Sequence, residues 1–396
     1  MTSAPTQSDF ACRPSLLTIA IVFLHLGGTA FGGPAAHIAL METELVRRRS
    51  WLSREEFLDL LGAANLLPGP NSTEMAIQIG YKKAGLPGLA IAGVCFILPA
   101  FLMVSAIAAL YLRFGKLTTI SAVLYGLKPV IIAIVFQAFW ALSKTSLKTS
   151  QLKVTAIVVF ALDLLGVNQI ALLLGCGLIA TVVHFAKTEG PRETVMLTVV
   201  GSASAALIAF TYFLSSYTPK NLAYSPAALF LYFLKIGSVL YGGGYVLLAF
   251  LRSDLVENYH WVTSNQLLDA VAVGQITPGP LFTTATFIGF TLGGPTGAVL
   301  ATVGIFLPAF VLVALTAPLI KKMRTSALAG KFLDAVNAAA IALMAGVLFQ
   351  LARDAFIDAP AVLIGVVSGL ILVRFKPNSL WLMLGGAITG FIFHGR

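Results

Sequence analysis

Runs of about twenty near-apolar residues decide most of what this chain can become. Residues 86–111, 117–142, 194–213 and 231–251 are of that length and nearly free of charge, long enough for a helix to cross a hydrocarbon layer of about 30 Å. Soluble domains carry about 25% charged residues; this chain carries 11%, against 58% hydrophobic. The expected fold class is an all-α polytopic membrane protein in the cell (inner) membrane. A soluble enzyme, a secreted disulfide scaffold and a nucleic-acid-binding domain are excluded. The net charge of +10 then reports basic cytoplasmic loops, with an anion-gathering funnel as the other reading. Cys12, Cys95 and Cys176 lack metal-ligand spacing, so no metal and no cofactor are expected. The apolar segment after the polar stretch 1–14 has no small-residue cleavage site, and no removable signal peptide is expected.

The chain is also duplicated. Adding 210 to first-half positions carries Phe23, Leu24 and Gly27 onto Phe233, Leu234 and Gly237, and Gly32-Gly33 onto Gly242-Gly243. The same shift carries Trp51 onto Trp261, Asp59 onto Asp269, Pro68-Gly69-Pro70 onto Pro278-Gly279-Pro280 and Thr73 onto Thr283. After one deletion the offset is 209, and Leu98-Pro99-Ala100-Phe101 falls on Leu307-Pro308-Ala309-Phe310. Apolar composition does not produce Trp, Asp and a Pro-Gly-Pro triplet in one register. The domains follow: a tail 1–14, a first repeat 15–186, a linker 187–225 with an additional apolar helix at 194–216, and a second repeat 226–396. Within the first repeat, glycines at 27–28 and 32–33 interrupt the segment 15–41. Ser53 and Glu56 make a capping box for an amphipathic helix over 53–66, and a second short helix opens at Asn71. Long helices are expected at about 86–112 and 117–142, with a shorter pair at 152–166 and 168–186.

Basic residues orient the halves. Loops 42–56, 81–85 and 143–153 hold nine (Arg47, Arg48, Arg49, Arg54, Lys82, Lys83, Lys144, Lys148 and Lys153), whereas loops 111–118 and 166–169 hold two, Arg113 and Lys116. In the second half the ratio reverses: Arg252 and Arg353 stand against Lys321, Lys322, Arg324, Lys331, Arg374 and Lys376. By the positive-inside rule the repeats are inverted. Inversion requires either an even number of crossings per half with one linker span, or an odd number with a linker that does not span.

Backbone breaks at membrane depth survive only against protein or a watery cavity, and matched breaks in inverted halves point to a midplane site. Helices restart after each Pro-Gly-Pro, at Asn71-Ser72-Thr73 and at Leu281-Phe282-Thr283-Thr284. Their free N–H groups and about half a unit of positive charge suit an anion; ordinary N-capping in a packed hairpin is the alternative. Ionisable residues inside apolar segments are functional candidates. Lys128 lies mid-segment opposite Asn337, and Lys235 lies opposite His25; either can charge an oxyanion site, or snorkel. Glu74, opposite Thr284, is a candidate for pairing with Lys128 or for carrying a proton. Asp59 with Asp269, Glu44 with Asp254, and His184 with His394 read as structural pairs. No phosphate-binding loop occurs, which speaks against ATP-driven pumping.

Phe31-Gly32-Gly33-Pro34, the two Pro-Gly-Pro triplets and the two Leu-Pro-Ala-Phe motifs together resemble the signatures of the chromate ion transporter family in its long two-domain form. The resemblance covers about 15–394. It implies a secondary transporter, not an enzyme, that exports chromate, with sulfate as structural analogue, and confers chromate resistance. It also puts Gly32, Gly33, Pro34, Pro68, Gly69, Pro70, Gly242, Gly243, Pro278, Gly279 and Pro280 near the translocation path. Together with Asn71, Ser72, Thr73, Thr283, Thr284, Lys128 and Lys235 these, Pro34 excepted, are the expected substrate-binding residues. Gly244 stands where the first half has Pro34, so a fully symmetric site is not expected. A passive anion channel, a sulfate transporter of the same architecture and an intramembrane enzyme using Asp59 or Glu74 as base are the competing readings. The partners expected are the oxyanion and membrane lipid, with no nucleic acid; a monomer and a homodimer fit the sequence equally.

Overall fold

The structure, a computed structural model, describes residues 14–31, 33–115, 117–188, 221–241, 244–317, 327–375 and 377–394. The expected helix at 194–216 and the site candidates Gly32, Gly242 and Gly243 lie outside them. Among the described residues there are fourteen α-helices and no strand. The first half comprises α1 (Leu16–Thr29), α2 (Gly33–Met41), α3 (Arg54–Ala64), α4 (Asn71–Phe114), α5 (Thr118–Ser146), α6 (Ser150–Leu164) and α7 (Gln169–Thr188). The second comprises α8 (Pro226–Val239), α9 (Leu247–Phe250), α10 (Ser264–Ile276), α11 (Thr284–Thr316), α12 (Ala327–Ala355), α13 (Ala359–Phe375) and α14 (Ser379–His394).

The duplication is visible element by element. A wide π-helical turn follows the second helix in each half, at Glu42–Arg48 and Leu251–Asn258. α3 and α10 both start in capping boxes: Ser53 with Glu56, and Thr263 with Gln266. Each box satisfies two N–H groups that the first helical turn leaves without partners.

α4 and α11 are each bent into two arms. Ala84 and Gly85 (φ +62°) leave helical geometry in α4, and Gly293 and Gly294 (φ +60°) do so in α11. A proline follows each turn, Pro87 and Pro295, where a helix tolerates its missing N–H. The arms meet through Gly80 against Gly88 and Gly289 against Gly297, backbone to backbone, with no room for a Cβ on either side. Helices long and apolar enough to cross a membrane occur at Asn71–Phe114, Ser121–Ser146, Leu281–Thr316 and Ala329–Ala355.

The largest cluster of buried side chains draws on both halves, and a second cluster belongs to the first half alone. α1 packs along α4 and α8 along α11, and α4 and α11 meet at the centre. Around them, α5 of the first half lies against α13 and α14 of the second, while α12 of the second lies against α6 and α7 of the first. Each half thus clasps the long helix of the other.

Candidate functional site

The two Pro-Gly-Pro turns are fixed reciprocally. Gly69 N–H donates to Leu240 O at 2.8 Å, and Gly279 N–H donates to Ala30 O at 2.9 Å. Leu240 and Ala30 are the equivalent C-terminal caps of α8 and α1. Both glycines are left-handed, with φ +139° and +96°, a region where a Cβ costs about 1–2 kcal/mol. The Leu-Pro-Ala-Phe motifs explain themselves here. A Cβ on Gly279 would come within 2.7 Å of Ala100 Cβ, and one on Gly69 within 3.7 Å of Ala309 Cβ. Each small alanine makes space for the turn of the opposite half.

Proline precedes both restarting helices. Pro70 and Pro280 hold the cap positions and supply no capping side chain, so the first N–H groups of α4 and of the turn opening α11 lack the partner that Ser or Asp would give. Asn71 donates from Nδ2 to Asn65 Oδ1 at 2.6 Å. The second half spends its hydroxyls locally: Thr283 Oγ1 donates to Pro280 O at 2.9 Å and Thr284 Oγ1 to Leu281 O at 2.8 Å. Ser72 and Thr73 are buried, and the Thr73 hydroxyl has no partner. Glu74 is fully buried, with neither carboxylate oxygen partnered, and it lies against the Gly69 turn.

A cavity of about 830 Å³ reaches these turns. Its lining includes the exposed Thr145 and Lys148 near the basic loop 143–153, and Ile134, Gln137, Ala138, Ala141 and Leu142 form one wall at helical spacing along α5. Its inner part is lined by Phe31, Pro34, Asn65, Asn71, Gly244, Tyr245, Gln275 and Asn337, drawn from both halves. Among its described lining residues Lys148 is the one cation and Asp334 the one carboxylate. Sequence reasoning missed Asn65, Tyr245 and Gln275; the 210-residue offset that pairs Asn65 with Gln275, next to each Pro-Gly-Pro, was the available signal.

Below this cavity the helices close. On α5, Lys128 lies six residues before Ile134, about 9 Å further along the axis. On α10, Asp269 lies six residues before Gln275, the same step. Lys128 Nζ is 3.3 Å from Asp269 Oδ1 and donates to Asn265 Oδ1 at 3.1 Å, and Tyr111 donates to Asp269 Oδ2 at 2.9 Å. Lys128 therefore pairs with Asp269 and not with Glu74, because its helical level is two turns away from the cavity floor. Nearby, Arg252 bridges Asp354 at 2.5 Å and Glu257 at 3.2 Å, and Tyr125 donates to Asp358 at 2.5 Å. Lys235 sits over the Tyr232 ring and pairs with Asp254 at 3.2 Å. It lines a second cavity of about 370 Å³ beside the loop 166–169, together with Asp163, Asn168, Gln169 and Glu257, which reaches neither Pro-Gly-Pro turn.

Among the described residues, helices of membrane-spanning length and a cavity lined from both halves mark a multi-pass membrane protein. Two consecutive regions, residues 17–181 and 227–391, each match the chromate transporter model, and the chain belongs to the chromate transporter family. It is 32% identical over 394 residues, 98% of this chain and 95% of the relative, to a chromate transport protein of Cupriavidus metallidurans. It is 30% identical over 380 residues, 93% of this chain and 90% of the relative, to a chromate transport protein of Pseudomonas aeruginosa. No solved structure matches.

Proposed function

We propose that this chain is a secondary transporter that exports chromate, or a sulfate-like tetrahedral oxyanion, from the cytoplasm by alternating access between two inverted halves. The observation that carries the reading is the cavity lined from both halves, running from the exposed Lys148 to residues flanking the Pro-Gly-Pro turns, with an ion-paired layer beneath it.

Inversion is supported by contacts at the two ends of one helix arm. Lys82 pairs with Glu56 at 2.6 Å, tying the start of α3 to the 81–85 end of the arm 86–114. Tyr111 bonds Asp269, tying the equivalent helix α10 to the other end, about 37 Å away at 1.5 Å per residue. Parallel repeats would bring both helices to one level. The reciprocal Gly69 and Gly279 bonds agree with a two-fold relation between the halves. In this reading the helices interrupted at the Pro-Gly-Pro turns are re-entrant.

The basic side is cytoplasmic by the positive-inside rule, so the large cavity faces inward. Export of a dianion from a cell that is negative inside gains about 2.3 kcal/mol per charge per 100 mV. The potential alone drives export. Lys128 occupies the position equivalent to cavity-lining Asn337. When the halves exchange roles, it lines the outward cavity, released from Asp269, and charges the exit path. Glu74, buried without a partner, is the proton-coupling candidate.

The test is uptake of labelled chromate and sulfate into everted vesicles at clamped potential. Uptake that rises with an interior-positive potential supports export. Absence of chromate-dependent uptake at any potential overturns it, and currents far above carrier turnover replace it with a channel. In Glu74→Gln vesicles, uptake should lose its response to a pH gradient at fixed potential; an unchanged response removes Glu74 from coupling.

A further inference from the structure

We propose that Gln275 is the central oxyanion ligand, holding a tetrahedral dianion at the closed end of the inward cavity together with Asn71, Tyr245 and Asn337, through neutral donors instead of a lysine. This rests on the export reading and names the ligands within it.

Gln275 is 8% exposed and lines the cavity, and its amide lies beside the Tyr245 hydroxyl with Nε2 short of full hydrogen-bond geometry to any protein acceptor. A buried donor left unpaired costs about 1–3 kcal/mol, a cost that an arriving acceptor removes. The residue stands three positions before Pro278, at the end of α10, so the same turn that sets Gly279 against Ala30 aims its amide. From the other half, Asn71 opens α4 behind Pro70, where the helix start has no capping side chain. A helix start with unpaired N–H groups attracts negative charge. The Tyr245 hydroxyl reaches the Gly33 turn of the first half, where a Cβ would lie 3.3 Å from it, and Asn337 supplies a fourth polar group from α12.

The lysines are committed elsewhere, Lys128 to Asp269 and Lys235 to Asp254. Lys148 is exposed on the cavity lining, where it attracts the anion without fixing it. Neutral donors suit a carrier, which must bind its cargo strongly enough to admit it and weakly enough to let it go.

The test uses the full-length protein in proteoliposomes, with chromate flux at fixed potential measured against concentration. Gln275→Ala and the near-isosteric Gln275→Met should raise the chromate KM about tenfold or more, as expected for losing a hydrogen bond to a charged group, with maximal flux within about threefold of the parent. Asn71→Ala should move KM in the same direction. Wild-type KM in folded Gln275→Ala and Gln275→Met overturns the assignment and leaves export standing. A parent protein that carries neither chromate nor sulfate overturns the export reading instead. Should both Gln275 variants fail to fold, hydrogen exchange on the parent decides: chromate must protect residues 71–75 and 271–277, and unchanged exchange there overturns the assignment.

Discussion

Replacing Asp269 by Asn keeps the shape of the layer beneath the cavity and removes its one anion facing Lys128. In the parent, Lys128 Nζ has Asp269 at 3.3 Å and Asn265 at 3.1 Å, while Tyr111 holds the second Asp269 oxygen at 2.9 Å. Losing one partner of a buried pair costs about 3–5 kcal/mol. The Lys128 side chain is 18% exposed, so the lower end, about 3 kcal/mol, applies. At about 1.4 kcal/mol per tenfold, the population in which Lys128 reaches water on that face rises about a hundredfold. Hydrogen exchange across residues 264–276 reads that opening directly, because exchange of protected amides follows the population of the open state. In Lys128→Gln combined with Asp269→Asn no charge is left buried, and exchange should return to within about tenfold of the parent. Exchange in Asp269→Asn within about threefold of the parent would refute a latch at this layer. So would a double variant more open than the single one.

Gly279→Ala forces a Cβ into left-handed backbone against Ala100; strain of about 1–2 kcal/mol and overpacking of about 1–3 kcal/mol should lower the melting temperature in detergent, and pairing it with Ala100→Gly should recover the packing share alone. Glu44 gives a pH dependence. Burial raises its carboxyl, but hydrogen bonds from Arg49 at 2.7 Å and Arg48 at 3.3 Å outweigh that and hold it below the ordinary 4.5. A depressed folded-state value means the stabilisation is complete above 4.5 and is lost as the pH falls through the folded value. Melting curves from pH 7 to pH 3 should therefore fall more steeply below 4.5 for the parent than for Glu44→Gln; parallel curves would contradict the assignment.

Most of the local architecture was legible because local chemistry sets it. Ser53 with Glu56 announces α3, Pro-Gly-Pro stops it, and the Lys82-Lys83 loop marks the turn that Ala84 and Gly85 make. The duplication exposed which breaks matter. What could not be read were contacts made only when the halves interlock. Nothing near Lys128 in sequence names Asp269, 141 positions away, as its partner, and hydropathy alone left Lys128 equally suited to an anion. Leu-Pro-Ala-Phe showed as a repeated motif, but its purpose is steric, at a glycine in the other half. Gln275 resembles any helix-end amide until α5 and α12 wall off a cavity around it.

Sided labelling tests opposed repeats most directly. In a cysteine-free background, Lys83→Cys and Thr296→Cys place one thiol on each of the two equivalent turns of α4 and α11. With a membrane-impermeant maleimide, position 83 should react only from the cytoplasmic face and position 296 only from the opposite face. Reaction of both positions from the same face would mean parallel halves, and the inward cavity and the latch beneath it would then not be two sides of one exchange.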